Sequence, residues 1–277
     1  MNILKYFKQS FQRKRARRIR QEYPAKVSTF VLEREGQIDF ANWDNPLVSP
    51  VEITQAKVDF YKRFIKEGDL AIDIGANIGD TTVPMALAAG KSGTVLGFDP
   101  NPYVYKILKK NASLNEDKVN IIPLCYAITV KEEEFYYISS EASFCNGGIS
   151  PTKESRHGKY IYEEKIKGIN LDQFLEQHYA FMLPKLSLIK IDTEGYDKEI
   201  IKSISDLISK YKPAIIAECF KNFTDNEKLE LFDVITKLGY EIYYFEDFVA
   251  ETQIIKLTER KDITKWNKGI DIYALPI

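Results

Sequence analysis

The run Leu70-Ala71-Ile72-Asp73-Ile74-Gly75-Ala76-Asn77-Ile78-Gly79-Asp80-Thr81-Thr82 constrains this chain more than any other stretch. It reads as a buried strand, a glycine turn and the start of a helix. Leu70, Ile72 and Ile74 form one apolar side of a pleat, and Ala71 extends the buried run. Gly75 and Gly79 allow a sharp bend and a close approach of backbone to a ligand. A second glycine turn, at Gly93, precedes Thr94-Val95-Leu96-Gly97-Phe98-Asp99-Pro100, a strand with a carboxylate at its exit. A glycine turn after one strand and an acid after the next predict a nucleoside site in a doubly wound α/β sheet.

The spacing narrows the nucleoside. A dinucleotide fingerprint is G-x-G-x-x-G, whereas here the pattern is Gly75-x-x-x-Gly79, without the tight pair that seats a pyrophosphate. Asp73 stands two residues before Gly75, where a carboxylate repels a pyrophosphate and attracts a cation. D-x-G-x-x-x-G is the form seen in S-adenosylmethionine sites, whose ligand carries a sulfonium and an amino group. With Asp99 at the next strand end, the expected ligand is S-adenosylmethionine, and a nicotinamide dehydrogenase is disfavoured. The bland alternative is an α/β core with glycine turns and no ligand.

Two further segments matter. Leu188-Ile189-Lys190-Ile191-Asp192-Thr193-Glu194-Gly195-Tyr196-Asp197 is a strand ending in an acidic turn, and Pro213-Ala214-Ile215-Ile216-Ala217-Glu218-Cys219 is another with a carboxylate at its exit. Together with Ile72 to Gly79 and Phe98-Asp99-Pro100-Asn101-Pro102, they closely resemble the FkbM family of methyltransferases. The resemblance spans roughly residues 50–277. It implies a Rossmann-like class I methyltransferase sheet, mostly parallel with a final antiparallel hairpin. It also implies methylation of hydroxyl groups, typically on sugars or natural products, from S-adenosylmethionine.

Roles can then be assigned. Asp99 suits both ribose hydroxyls, with Pro100 and Asn101 beside it. Asp73 suits the amino group, directly or through the turn of Gly75, Ala76 and Gly79. Asn77 and Thr81 or Thr82 suit the carboxylate end, helped by a helix N-terminus; Asp80 and Thr81 read equally as helix caps. Tyr126 and Ala127 follow the third strand, where adenine should lie, although Tyr126 equally reads as core.

A sugar hydroxyl is about as weak an acid as water, pKa roughly 15, so a base should matter. Asp192, Glu194 and Glu218 should converge near the methyl group. One is the general base, or a pair such as Asp192 with Glu218 holds magnesium or manganese that acidifies the acceptor. Glu194 reads equally as a helix cap with Thr193. Lys190, between Ile189 and Ile191, neutralises an acid or donates to the acceptor; its alternative is an outward, snorkelling stem. His157, beside Ser155, Arg156 and Gly158, is a loop base or plain surface. In Ser143-Phe144-Cys145-Asn146-Gly147-Gly148, Phe144 stacking and Asn146 offer contacts to a sugar.

From Leu70 onward strands alternate with helices, which implies a parallel sheet with right-handed crossovers. Strands are expected near 70–74, 94–98, 119–124, 186–191, 213–218, 240–246 and 270–275, with an irregular connection between the last two. Helices are expected near 53–66, 80–90, 102–114, 196–210 and 225–238. Residues 131–170 break the alternation and read as a β-insertion beside the acceptor site. Residues 51–277 form the methyltransferase domain, and residues 1–50 an extension: a basic helix over 3–21, with Leu4, Phe7 and Phe11 on one stripe, then a hairpin turning at Gly36.

The net charge of −1 gives no global argument for nucleic acid. Yet residues 1–26 hold nine Lys or Arg and a single acid, Glu22. Docking of residues 1–25 on a membrane or an assembly partner is one reading. An RNA or protein methyltransferase, with Arg13 to Arg20 gripping phosphates, is the runner-up to a small-molecule or glycan acceptor. Cys125, Cys145 and Cys219 lie far apart, which argues against structural zinc and for a reducing compartment. No apolar run reaches ~18 residues and no signal core is visible, so a cytoplasmic protein is expected.

Overall fold

The structure is a computed structural model. It describes the backbone of residues 3–277 and the side chains from Phe7 onward, so Leu4 of the expected stripe lies outside the described side chains. Helix α1 (Ile3–Arg18) leads into the hairpin of β1 (Ala25–Leu32) and β2 (Gly36–Trp43), then α2 (Gln55–Tyr61). The alternating part runs β3 (Leu70–Ile74), α3 (Thr82–Ala89), β4 (Thr94–Phe98), α4 (Pro102–Ala112) and β5 (Ile121–Leu124). The insertion holds β6 (Ala127–Ile128), β7 (Glu133–Ser139), β8 (Gly148–Ser150) and β9 (Tyr160–Ile169). Then come α5 (Leu171–His178), β10 (Leu186–Ile191), α6 (Asp197–Ser203), α7 (Ser205–Tyr211), β11 (Ala214–Cys219), α8 (Asp225–Lys237), β12 (Tyr240–Phe245), β13 (Ile254–Leu257) and β14 (Ile270–Pro276).

The main sheet has eight strands in the order β13-β12-β14-β11-β10-β3-β4-β5. Strands β5, β4, β3, β10 and β11 are parallel neighbours. Strand β14 slots antiparallel between β11 and β12. This is the Rossmann-like methyltransferase sheet that the resemblance implies. Every residue of β3 and β4 is buried, because helices cover both faces; that is why these strands read as continuous apolar runs.

Four elements differ from expectation. The helix expected over 53–66 is shorter, since α2 stops at Tyr61. The connection between the last two strands contains β13, an edge strand whose Ile254, Ile255 and Lys256 are exposed, so burial left no periodic signal. The helix expected over 196–210 is two, divided at Ile204, which leaves the helical region at φ −112°, ψ 20°. Ile204 is fully buried, so packing sets that break. Helix α5, capped by the Asn170 side chain on the Gln173 amide, follows the insertion directly and went unread.

The insertion forms its own four-stranded sheet, β6-β9-β7-β8. The hairpin β1–β2 is not a loose extension, because Ile38, Phe40 and Trp43 are buried in one face of the main core. Asn111 of α4 fixes it. Its side chain accepts from the Ala41 amide (2.7 Å) and donates to the Ala41 (2.9 Å) and Ile78 (2.7 Å) carbonyls. One amide thus ties the hairpin to the glycine turn after β3. The end of α1 and the residues just after it strap onto the insertion: the Arg17 carbonyl accepts from the Ala142 amide (3.1 Å), and Arg20 pairs with Glu163 (2.8 Å) and donates to the Ile161 carbonyl (2.6 Å).

Asn111→Ala leaves three buried backbone groups without partners. Each unsatisfied group costs about 1–3 kcal/mol, so a loss of about 3 kcal/mol or more is expected in urea unfolding. A loss under about 1 kcal/mol would show that the hairpin does not depend on this side chain.

Candidate active site

Strands β3 and β10 are neighbours, but the chain leaves β3 toward β4 and leaves β10 toward β11. Their carboxyl ends form the topological switch point, where open α/β sheets bind ligands. A cavity of about 820 Å³ lies there, under the insertion. Gly75 makes the crevice, with φ at +80°; a β-carbon would stand 1.9 Å from the Asp192 carbonyl oxygen. The Asp192 amide donates to the Ile74 carbonyl at 2.9 Å, so the two strand exits touch through the missing side chain.

The turn is wired to β4. The Gly75 and Ala76 amides both donate to the Phe98 carbonyl (2.9 Å each). Asn77 sits at φ +47° and its amide donates to Asp99 Oδ2 at 2.9 Å, while the Asn101 amide donates to Asp99 Oδ1 at 2.8 Å. Two backbone donors orient the Asp99 carboxylate, and each oxygen keeps acceptor capacity. Burial pushes its pKa up to about 6 against the pull of those two amides.

Asn77, Asp80, Thr81, Asp99, Pro100, Asn101, Tyr126 and Ala127 all line the cavity, whereas Asp73, Ala76, Gly79 and Thr82 do not. Asp73 is fully buried beneath the turn, where its Oδ2 accepts from the hydroxyls of Thr81 and Thr82 (2.7 Å each). It shapes the turn and does not reach into the cavity. The Asn101 side chain is also committed, capping α4 through the Tyr103 amide (3.0 Å) and donating to the Phe144 carbonyl (2.7 Å).

Lys190 enters the cavity wall from β10, and the outward, snorkelling alternative fails because the side chain is buried. Its Nζ lies 3.3 Å from Asp192 Oδ2 and 3.5 Å from Asp73 Oδ1. Burial disfavours the charged ammonium, but Asp192, Asp73, Tyr61 and Asp80 together hold its pKa well above the ordinary lysine value. Asp192, 45% exposed, faces the cavity with this cation behind it.

The acidic turn after β10 is organised by Asp197, a residue given no role by sequence reasoning. Its Oδ2 accepts from the Thr193 hydroxyl (2.9 Å) and the Gly195 amide (3.3 Å), and its Oδ1 from the Glu218 amide (3.3 Å). The cap expected of Glu194 and Thr193 is absent: no side chain caps the start of α6. Glu194 instead lines the cavity at φ +53°, in the left-handed region. Such strain in a non-glycine residue persists only where the surroundings impose it.

Glu218 does not line the cavity. It pairs in register with Asp271 of β14, and burial, with Asp192, Asp197 and Asp271 nearby, raises its pKa to about 7. The alternative of a cation held between Asp192 and Glu218 finds no support here, because Glu218 does not face the cavity that Asp192 lines. Among the described residues no group of three or more His, Cys, Asp or Glu is arranged to hold a metal, and the Lys190 ammonium already sits against Asp192.

The insertion supplies the far wall. His157, Arg156, Asn146 and Gly148 line the cavity. The imidazole packs on Gly148, where a β-carbon would stand 2.6 Å from it. Burial and the Arg156 charge lower the His157 pKa, which favours the neutral ring. Phe144 is not available to a sugar: it is fully buried and stacked on Tyr103, ring centres 4.8 Å apart.

The chain is similar to known methyltransferases. The family described as "Methyltransferase FkbM domain" matches residues 73–242. The hexuronic acid methyltransferase AglP of Haloferax volcanii is 26% identical over 151 residues, 54% of this chain and 56% of that protein. The protein-L-isoaspartate O-methyltransferase of Caenorhabditis elegans is 33% identical over 67 residues, 24% of this chain and 30% of that protein. The chain therefore spans about half or less of these relatives. Among solved structures, a methyltransferase FkbM from Methylobacillus flagellatus aligns with TM-score 0.45 at 12% identity, covering 79% of this chain and 51% of that one. A SAM-dependent O-methyltransferase from Thermotoga maritima aligns with TM-score 0.43 at 13% identity, covering 92% and 78%.

The carboxyls at this end of the sheet set a pH dependence. Asp99, Asp197 and Asp271 are raised to about 6 and Glu218 to about 7, each chiefly by burial. A raised folded-state pKa contributes stability that is full below the unfolded value near 4 and is lost as pH rises through 6–7. The acids held low by their partners, Glu230 by Lys198 and Lys202 and Asp262 by Lys265, at about 2, oppose this only below about pH 4. The unfolding midpoint of the ligand-free protein is expected to be higher near pH 5 than near pH 8. A midpoint that rises toward pH 8 would mean that these carboxyls are solvated.

Proposed function

The chain belongs to the FkbM methyltransferase family, and from that membership we propose that it transfers a methyl group from S-adenosylmethionine to a hydroxyl of a small acceptor, a sugar of a glycan or a natural product. One observation carries the reading. The oriented Asp99 carboxylate and the Asp192–Lys190 pair face a single cavity at the switch point of the sheet. The first suits a ribose, and the second suits an acceptor hydroxyl.

The residues present fit the donor. Asp99 accepts the ribose hydroxyls, Tyr126 and Ala127 wall the adenine, and the Asn77–Thr81 segment meets the amino acid end. Carboxylates of Asp80, Asp99, Asp192 and Glu194 around the cavity favour a ligand carrying a sulfonium and an ammonium. S-adenosylmethionine, when bound, would supply an electrophilic methyl group whose bond to sulfur breaks as its bond to the acceptor oxygen forms, the neutral thioether leaving. Asp192 receives the hydroxyl proton, and Lys190 holds its carboxylate toward the acceptor. His157 and Glu194 close the acceptor side and keep water out.

A sugar acceptor is supported by the relative from Haloferax volcanii, a hexuronic acid methyltransferase. Arg156 and Lys131 on the cavity wall offer positive charge to a sugar carboxylate. No divalent cation is part of this proposal.

Two variants separate the halves of the site. Asp99→Ala should weaken S-adenosylmethionine binding about 10- to 100-fold, the worth of one or two charge-assisted hydrogen bonds; an unchanged dissociation constant by calorimetry would move the nucleoside elsewhere. Asp192→Asn should keep cofactor affinity and lower turnover of labelled methyl onto sugar acceptors by ~10² or more. Chelator should leave wild-type turnover unchanged, and loss restored by magnesium would overturn the metal-free reading. Full activity in Asp192→Asn would transfer the base role to His157.

A further inference from the structure

We propose that α1 is a docking helix that holds this protein on an anionic lipid surface. The helix has no acid in its first turn and ends in Arg15, Arg17 and Arg18, an arrangement that also suits the negative pole of its own dipole. At 3.6 residues per turn, Phe7, Phe11, Lys14 and Arg18 recur at i, i+4, i+7 and i+11 and share one face. Phe7 is 63% and Phe11 68% exposed, and Lys14 and Arg18 are exposed beside them.

The opposite side is fixed. Ala16 lies about half a turn from Lys14 and Arg18 and is fully buried. The Arg17 carbonyl and the Arg20 side chain bind the insertion at Ala142, Ile161 and Glu163. The helix therefore presents its aromatic and basic face away from the protein body. The helix is basic around most of its surface, so its contact with a lipid surface is chiefly electrostatic, with the two exposed rings at the headgroup boundary.

The exposed rings favour lipid over RNA. The cavity wall is mixed, with Asp80, Asp99, Glu133, Asp192 and Glu194 beside Lys131, Arg156 and Lys190, and so is not a basic track for a polyanionic strand, whereas Phe7 and Phe11 suit a headgroup boundary. A lipid surface needs no such track, because it meets the helix alone. No helix among the described residues is long and apolar enough to cross a membrane, so contact is limited to the surface.

The test is co-sedimentation of the full chain with phosphatidylcholine vesicles containing or lacking phosphatidylglycerol. Binding is expected to the anionic vesicles only and should weaken as salt rises. Phe7→Ser with Phe11→Ser, and separately Lys14→Glu with Arg18→Glu, should each lower the partition coefficient about tenfold or more. Both sites are exposed, so melting curves should match the wild type. Three results would overturn the proposal: no binding to anionic vesicles, equal binding to neutral ones, or tight binding of an RNA oligonucleotide in place of vesicles.

Discussion

The buried ammonium of Lys190 is the interaction on which the site depends. Carboxylates crowd this end of the sheet: Asp73 below the turn, Asp80 beside it, Asp192 at the exit of β10. Unbalanced, they repel one another in a medium that screens weakly. Lys190 Nζ stands between Asp73 and Asp192, at 3.5 and 3.3 Å, and so balances the acid that builds the turn against the acid that faces the cavity. One side chain couples the turn after β3 to the exit of β10. Removing one partner of such a buried group leaves the others uncompensated, at a cost of several kcal/mol.

The second constraint is steric. Gly75 has no side chain, so the carbonyl of Asp192 occupies the space where a β-carbon would be. That contact fixes the distance between the exits of β3 and β10 and therefore the width of the crevice. Backbone amides then orient Asp99 on one side, and Asp197 organises the acidic turn on the other. The carboxylates that face the cavity are held by backbone amides and buried neighbours, so the proposed site is arranged before a ligand arrives.

The insertion converts an open crevice into a cavity. It returns His157, Arg156 and Gly148 over the switch point and is itself held by the segment after α1 and by the stacked pair Tyr103–Phe144. The end of α1 and the roof of the cavity are thus joined by the Arg17–Ala142 hydrogen bond and the Arg20 contacts.

Sequence alone determined the parallel core strands, the glycine turn after β3, Asp73 within that strand and Asp99 after β4, because strand burial on both faces and turn chemistry leave local marks in residue type. The runs at Leu70, Thr94 and Leu188 needed no partner to be legible. Edge strand β13 left no mark, because its side chains are exposed, and neither did the break at Ile204, which packing imposes. Roles within the site divided the same way. Composition and spacing put Asp73, Asn101 and Phe144 near a ligand, but only the fold decided that Asp73 supports the turn, that Asn101 caps α4 and that Phe144 stacks on Tyr103. The cation expected between Asp192 and Glu218 met the same test, for Glu218 faces Asp271 and Lys190 stands where the charge was needed. Residue type sets what a side chain can do; which partner it meets depends on strands far apart in sequence, and that is settled only when the sheet closes.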